Sequence, residues 1–305
     1  MGKFEKKRII VTGAGGLIGS AVVRRLYNKG KKVVALYKTP PSEAAWEKFK
    51  IDLSDKNSKE ALKQLLSEAI CLVHCAAVLP SFFHDSLEAA KVNRQIDDLV
   101  VDCCHKADVG LIYMSGTSLY ADSTNVIINE NAHLSPLGDY LNSKIKTENN
   151  IKKNIKVYKI MRISAPYGPM QKNRSVLRIF IENALSNKDI RYFGSGEREQ
   201  DFTHVNDVAS AVVAAVNNPS FSGVYNVASG KAISMRKLGH LILECIPESK
   251  SVVLPADIPD PQENYRARFS IEKARRILGW QPEISLRDGI AEWASVLRSE
   301  NRNYF

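Results

Sequence analysis

Residues 9–19 read IIVTGAGGLIG: an apolar run, a glycine-rich turn and the start of a second apolar pattern. An apolar run bounded by turn residues is typical of a buried strand, and residues 17–28 repeat apolar positions at helical spacing. In such a turn Gly13 permits a sharp bend, Gly16 lets a ligand approach the backbone, and Gly19 lets the helix pack closely. Because free N–H groups and the helix dipole then face one point, the segment predicts a loop that binds the phosphates of a dinucleotide.

Outward from this loop, strand and helix patterns alternate through the first half of the chain. Apolar runs predict buried strands at residues 8–12, 32–37, 69–75, 110–115 and 157–162. Helical patterns lie between them, at residues 17–28, 58–67, 87–107 and 140–152. This alternation predicts an α/β fold with a doubly wound parallel sheet of the Rossmann type.

After about residue 165, prolines and glycines interrupt the pattern. We therefore expect a dinucleotide-binding domain in residues 1–165 and a smaller lobe, mainly substrate-binding, in residues 166–305. The division is not a simple cut. Within the region near 200–228, residues 205–216 and 224–228 have the patterns of a helix and a strand that return to the main sheet.

The composition is that of an ordinary globular protein, with 305 residues, 44% hydrophobic and 25% charged. The formal net charge is +10, but no aromatic-basic cluster accompanies the scattered lysines and arginines, so no nucleic-acid partner is expected. The apolar runs are too short to span a membrane, and basic residues 3–8 lead into a strand rather than a signal-peptide core. We expect a cytoplasmic protein without a membrane partner, whose positive field attracts anionic cofactors.

Neither the cysteines nor the histidines have the spacing of a metal site. The five cysteines are odd in number and lack paired spacing, which argues against a disulfide framework and a zinc site. His74, His84 and His204 show no mutual ligand spacing, so packing or a place in the cofactor wall is the better interpretation. We expect no metal.

The end of the second predicted strand bears on the choice of cofactor. An NAD site usually has Asp or Glu there to hold the ribose 2′-hydroxyl, but here Leu36 is followed by Tyr37 and Lys38. Lys38 is either a solvated surface lysine or a partner for the 2′-phosphate of NADP, and we favour NADP. Asp52 is a candidate for the adenine amino group, with a helix cap ahead of Ser58 as the alternative.

Tyr140 and Lys144 lie four residues apart in a helical pattern, so both side chains point from one face. A phenol with a pKa of about 10 is a poor base at neutral pH, and a neighbouring ammonium favours its anion. The spacing therefore predicts a proton-transfer pair.

In combination, these motifs make the sequence resemble the extended short-chain dehydrogenase/reductase family, that of the NAD-dependent epimerases and dehydratases, and especially its branch acting on nucleotide-activated sugars. The resemblance covers nearly the whole chain. It rests on residues 12–19, 52–53, 74–77, 92–93, 140–144, 162–169, 201–208 and 278–282.

The resemblance implies that Tyr140 exchanges a proton with a sugar hydroxyl or carbonyl while hydride moves between sugar carbon and nicotinamide. It implies that Lys144 holds the nicotinamide ribose and lowers the Tyr140 pKa, and that the chain forms a homodimer through two helices, one of them bearing Tyr140. The candidate residues for binding NAD(P) are Gly13, Gly15, Gly16, Leu17, Ile18, Lys38, Asp52, Leu53, Ala76, Ala77, Ser115 and Lys144.

The sequence departs from the family pattern where Gly116 replaces a Ser or Thr that donates a hydrogen bond to the reacting oxygen. Ser115, Thr117 or Ser118 are possible substitutes, and we favour Thr117 as the third catalytic residue. Thr117 and Ser118 are also candidate substrate contacts.

Two further departures weaken the assignment of a diphosphate-linked sugar. Ala165 stands where such enzymes often carry Asn, and Gln200 where they often carry Arg. Arg198 and Arg266 remain as candidate substrate clamps, with Arg268 beside them, because guanidinium geometry suits phosphate oxygens. Surface arginines without this role are the alternative.

Three hypotheses follow. The first is an enzyme that reduces or epimerises a nucleotide-linked sugar, with reduction favoured by the missing acid after Leu36. A dehydratase is disfavoured because an Asp-Glu pair would be expected at Thr117 and Ser118. The second is an NADPH-dependent reductase of a non-nucleotide carbonyl. The third is a non-catalytic, dinucleotide-binding regulator, for which Gly116 is the only hint.

Overall fold

The computed structural model describes residues 8–79, 86–120, 127–266 and 268–302. The strands are β1 (Arg8–Thr12), β2 (Lys32–Tyr37), β3 (Glu47–Lys50), β4 (Ala69–His74), β5 (Gly110–Gly116), β6 (Tyr158–Ile163), β7 (Pro166–Tyr167), β8 (Ile190–Tyr192), β9 (Glu199–Asp201), β10 (Thr203–His204), β11 (Gly223–Val227), β12 (Ala232–Ser234) and β13 (Val253–Pro255). The helices are α1 (Leu17–Asn28), α2 (Ser58–Leu66), α3 (Ser86–Ala107), α4 (Asp139–Asn154), α5 (Val176–Leu185), α6 (Val205–Asn217), α7 (Met235–Cys245) and α8 (Leu286–Arg302).

In the described part of the chain, seven strands form one parallel sheet in the order β11-β6-β5-β4-β1-β2-β3. This confirms the predicted doubly wound fold. The order reverses between β1 and β4, so the carboxyl ends of these two strands border the crevice where such sheets bind ligands. Thr12 lies opposite His74 in the register of this pair.

Helices cover both faces of the sheet. One face packs against α1 and α6, and the other against α2, α3 and α4. The strands between these layers are almost continuously apolar, as expected for a sheet buried on both sides.

A third core lies in the C-terminal half, where α5, α7 and α8 pack together beside short strand pairs. As predicted from residues 205–216 and 224–228, the chain returns to the main sheet: α6 packs against α1, and β11 pairs with β6. The division of function at residue 165 stays a prediction. No helix in the described ranges is long and apolar enough to cross a bilayer.

Candidate active site

The glycine-rich turn joins β1 to α1 at the reversal of strand order. Gly13 has φ +63°, and a Cβ added there would lie 2.6 Å from the backbone nitrogen of Ala76. A Cβ on Gly19 would lie 2.1 Å from the Gly13 carbonyl oxygen, so α1 approaches the turn more closely than any other residue would allow. Gly16, at the N-cap of α1, is exposed and carries no side chain to cover the helix N-terminus. The turn therefore fits an anion such as a pyrophosphate.

Other candidate cofactor residues surround this turn. Leu17 and Ile18 form the half-buried first turn of α1, and Gly15 is exposed beside them. Ala76 is half-buried against Gly13 and Ala77 is exposed. They form one surface at the carboxyl ends of β1 and β4.

The ends of β2 and β3 bring Lys38 and Asp52 together. Lys38 Nζ lies 2.9 Å from Asp52 Oδ2, and Asp52 Oδ1 accepts hydrogen bonds from the backbone N–H and hydroxyl of Ser54. These contacts hold the pKa of Asp52 at about 2. The alternative interpretation of Asp52 as a helix cap is wrong, because Asn57 is the N-cap of α2. Leu53 is buried in the core, which leaves its backbone as the part that can meet a cofactor.

Tyr140 and Lys144 occupy the first two turns of α4, which packs against β5, β6 and the short 3-10 helix Thr117–Leu119. Lys144 Nζ lies 5.9 Å from the centre of the Tyr140 ring and 4.5 Å from that of Tyr113. The lysine is buried and Tyr140 is half-buried. The structure therefore places the ammonium beside the phenol, as the helical spacing predicted.

A line of buried hydrogen bonds begins at Thr12, the last residue before the glycine-rich turn. Thr12 Oγ1 accepts from the backbone N–H groups of Cys75 (3.1 Å) and Ala76 (3.2 Å). Its own hydroxyl therefore donates to His74 Nδ1 at 2.7 Å, which assigns the imidazole proton to Nε2. That N–H donates to Asp97 Oδ1 at 3.0 Å.

The line continues from Asp97 to the lysine. Asp97 Oδ2 accepts from the hydroxyls of Tyr113 (2.7 Å) and Thr147 (2.9 Å). Lys144 Nζ donates to the Tyr113 hydroxyl at 2.8 Å and lies 4.0 Å from Asp97 Oδ2. The glycine-rich turn and the predicted catalytic lysine are thus joined by a continuous buried polar network.

Sequence reasoning missed Asp97 and Tyr113. Asp97 precedes Asp98, and two adjacent acids in a helix read as a solvated face. One signal in the sequence could have found it: Asp97 precedes Val100 by three residues and Val101 by four, so it lies on the apolar face of the helical pattern.

Burial and the network both bear on the ionisation of Tyr140. Burial raises the pKa of Tyr140 to about 12, and the negative charge of Asp97 adds to the rise. A lowering of this pKa by Lys144 stays a prediction. The ammonium lies beside the carboxylate that balances it. Burial would likewise raise the pKa of Asp97, but Lys144 and the His74 and Tyr113 hydrogen bonds bring it to about 2.

The hydroxyls near Gly116 differ in what they face. Ser115 is buried and donates to Glu148 Oε1 at 2.8 Å, so its side chain points into the protein rather than towards a cofactor. Thr117 is buried and donates a long hydrogen bond, 3.5 Å, to the carbonyl of Ile163. Ser118 is exposed, and its hydroxyl has no hydrogen-bond partner among the described residues.

Comparison with known proteins identifies the family. Residues 9–228 match the NAD dependent epimerase/dehydratase family, which is well over half of the chain. The chain belongs to this family. The predicted resemblance is thereby confirmed.

Similar members of the epimerase/dehydratase family cover the chain almost end to end. A putative UDP-glucose 4-epimerase of Methanocaldococcus jannaschii is 29% identical over 96% of this chain and 99% of its own length. The dTDP-4-dehydro-6-deoxyglucose reductase of Escherichia coli is 25% identical over 96% and 98%. The structure of MoeE5 in complex with UDP-glucuronic acid and NAD is 25% identical, with a TM-score of 0.82 over 96% and 99% of the two chains.

Within this epimerase/dehydratase fold, the candidate arginines gather around β9 but are already engaged. Arg198 Nε lies 2.8 Å from the buried carboxylate of Asp260. Arg268 forms a two-point pair with Glu199, at 2.9 and 3.0 Å. Arg266 donates to the backbone carbonyls of Glu263 and Tyr265. An anionic substrate would have to displace these partners.

Of the three histidines whose spacing was considered, His74 and His204 lie among the described residues, and each has a local role. His74 belongs to the buried network, and His204 caps the N-terminus of α6 through its Nδ1 atom. His84 lies outside the described residues.

Proposed function

We propose that this protein is an NAD(P)-dependent oxidoreductase or epimerase that acts on a nucleotide-activated sugar by hydride transfer, with Tyr140 as the acid/base. The observation that carries the proposal is the buried line from Thr12 to Lys144. It joins the glycine-rich turn at the reversal of strand order to a lysine one helical turn after a half-buried tyrosine.

When bound, a nicotinamide dinucleotide supplies or accepts the hydride. The backbone of the turn at Gly13 and Gly16 would hold its phosphates, and Lys144 would lie against its nicotinamide ribose. In the reducing direction Tyr140 donates its proton to the carbonyl oxygen as the carbon becomes an alcohol, and the phenolate takes a proton from solvent. In the oxidising direction the phenolate accepts the hydroxyl proton.

A second hydrogen-bond donor to the reacting oxygen would stabilise its developing charge. Gly116 has extended backbone, and a Cβ added there would lie 3.4 Å from the Ser118 hydroxyl. The Ser118 hydroxyl therefore occupies nearly the space that a longer side chain at position 116 would reach. We propose Ser118 rather than the buried Thr117 as this donor.

The role of Tyr140 is tested with Tyr140→Phe. We expect a loss of at least about a hundredfold in kcat, since general acid catalysis contributes about 10²–10⁴-fold, with unchanged dinucleotide affinity. The assay follows the absorbance of the reduced nicotinamide with a panel of nucleotide sugars and 4-keto sugars, and product analysis detects epimers. Tyr27→Phe, at an exposed tyrosine, is the control. Failure of the wild-type protein to bind either NADH or NADPH would refute the proposal.

The donor is tested with Ser118→Ala against Thr117→Val. We expect Ser118→Ala to lower kcat by about 10²-fold with little change in KM, and Thr117→Val to leave the rate within about threefold. Because position 116 has room, Gly116→Ser in the Ser118→Ala protein should recover most of the loss. A larger loss from Thr117→Val, or no rescue, would reassign the donor.

A reductase of a non-nucleotide carbonyl is the second candidate. It is favoured by the pairing of Arg198 with Asp260 and of Arg268 with Glu199, which leaves neither guanidinium free for a diphosphate. Turnover of simple ketones or aldehydes with NADPH, but not of any nucleotide sugar, would decide for it. Tight dinucleotide binding without turnover of either class would favour a regulator.

A further inference from the structure

The environment of Lys144 is set by groups from three secondary-structure elements. Asp97 approaches from α3, Tyr113 from β5 and Tyr140 from α4 itself, while the Cys75 thiol lies close by after β4. Burial raises the pKa of Cys75 to about 12, so this thiol carries no charge at neutral pH. Asp97 is therefore the negative charge that faces the lysine within the described residues.

The Tyr113 hydroxyl stands between the two charges. It accepts from Lys144 at 2.8 Å and donates to Asp97 at 2.7 Å, while the ammonium and carboxylate remain 4.0 Å apart. Tyr113 is almost fully buried, so no water competes for these contacts. The hydroxyl acts as a spacer that keeps the ammonium from closing onto the carboxylate.

We propose that Asp97 and Tyr113 are positioning residues that set the ionisation of Tyr140 through the Lys144 ammonium. The Asp97 carboxylate balances the ammonium and favours the Tyr140 phenol, whereas the Tyr113 hydroxyl keeps the ammonium from closing onto Asp97 and so leaves its charge able to act on Tyr140. This inference rests on the proposed role of Tyr140. Both residues are buried: Tyr113 acts on Tyr140 through Lys144, and Asp97 acts through Lys144 and by its own negative charge.

The two residues should have opposite effects. Without the carboxylate, the ammonium is no longer balanced and favours the Tyr140 anion. Without the spacer hydroxyl, the ammonium closes onto Asp97 and its charge is withdrawn from Tyr140. A merely structural role would shift the ionisation of Tyr140 in neither protein, or in the same direction in both.

The ionisation of Tyr140 is measured from tyrosinate absorbance as a function of pH, in the protein without cofactor or substrate. Subtracting the titration of each Tyr140→Phe counterpart isolates Tyr140 from the other tyrosines. We expect Asp97→Asn to lower the Tyr140 midpoint by about one pH unit and Tyr113→Phe to raise it. The decline in the rate of carbonyl reduction with rising pH should begin about one unit lower in the Asp97→Asn protein.

Asp98→Asn is the matched control, because Asp98 is the next residue of α3 and pairs with Arg94 at the surface. It should leave the midpoint unchanged. Unchanged midpoints in both folded variants, or an equal shift with Asp98→Asn, would overturn the inference. If Asp97→Asn does not fold, Tyr113→Phe decides: a midpoint that fails to rise overturns it. The titration needs no turnover. An inactive enzyme would therefore refute the proposed function and leave the measured Tyr140 midpoints valid.

Discussion

At the scale of single residues, buried charges are arranged in matched sets around the candidate site. Beside the Asp97 network, the Glu148 carboxylate receives two hydrogen bonds from Arg162, at 3.0 and 2.6 Å, and a third from Ser115. Arg162 also lies 4.9 Å over the Tyr120 ring. Both partners of this pair are at most 2% exposed. Each charge is tolerable in the core only because the other is present.

Removing one partner of this pair should therefore be costly. We expect Arg162→Met to lower the free energy of unfolding by about 3–5 kcal/mol, because it removes both guanidinium hydrogen bonds from the buried Glu148 carboxylate and leaves the exposed Lys152, 3.7 Å away, as its cationic partner. Arg94→Met breaks a surface pair with Asp98 and should cost at most about 1 kcal/mol. Urea denaturation of both proteins measures the difference. Equal effects would mean that the buried pair contributes no more than a surface one.

At the scale of elements, the residues that follow β2 and β3 bear on cofactor choice, and the lysine among them, Lys38, is already paired with a carboxylate. Lys38 is well exposed, but Asp52 lies 2.9 Å away and is ionised throughout the neutral range, its pKa being about 2. A 2′-phosphate bound at this point would be attracted by the Lys38 ammonium and repelled by the Asp52 carboxylate. A preference for NADP thus depends on two opposing charges near the 2′-phosphate, that of Lys38 and that of Asp52.

Cofactor preference can be measured directly at these positions. We expect Lys38→Ala to weaken NADPH binding by about tenfold, the loss of roughly one charged hydrogen bond, and to leave NADH binding unchanged. Asp52→Asn should strengthen NADPH binding, because it removes the repulsion and frees Lys38. Lys29→Ala, at the opposite end of α1, is the control. Fluorescence titration with both dinucleotides measures the affinities; equal changes for the two would count against a 2′-phosphate contact.

Elements differed in how well the sequence predicted them. The bounds of β1, α1 and β2 agree with prediction because their apolar runs end at glycines or charges. Strand β3 was missed, since its sequence EKFK is polar and it lies exposed at the sheet edge.

In the candidate site, the pairing of Tyr140 with Lys144 could be predicted from their spacing in the sequence. The contact of Lys144 with Tyr113 and Asp97 could not, because three separate elements meet there.

At the scale of the whole molecule, α3 and α4 pack on each other and cover one face of the sheet. A homodimer through two helices, one of them α4, stays a prediction. The exposed residues of α3 and α4 include Lys91, Arg94, Lys146 and Asn149. Three of these four residues are basic, so their mutual repulsion would oppose a dimer formed here, and added salt, which screens that repulsion, should strengthen it.

The pairing of β11 with β6 also matters during synthesis. Residues Lys159–Ile163 form the inner neighbour of a strand that comes from residues 223–227, after strands β7–β10 and helices α5 and α6 have been synthesised. Until that strand has left the ribosome, the β6 edge is a row of unpaired N–H and C=O groups open to another nascent chain. Non-local pairing of this kind slows folding. The pairing of β11 with β6 is therefore the folding step before which the protein is most exposed to aggregation, and the one at which a chaperone would help most.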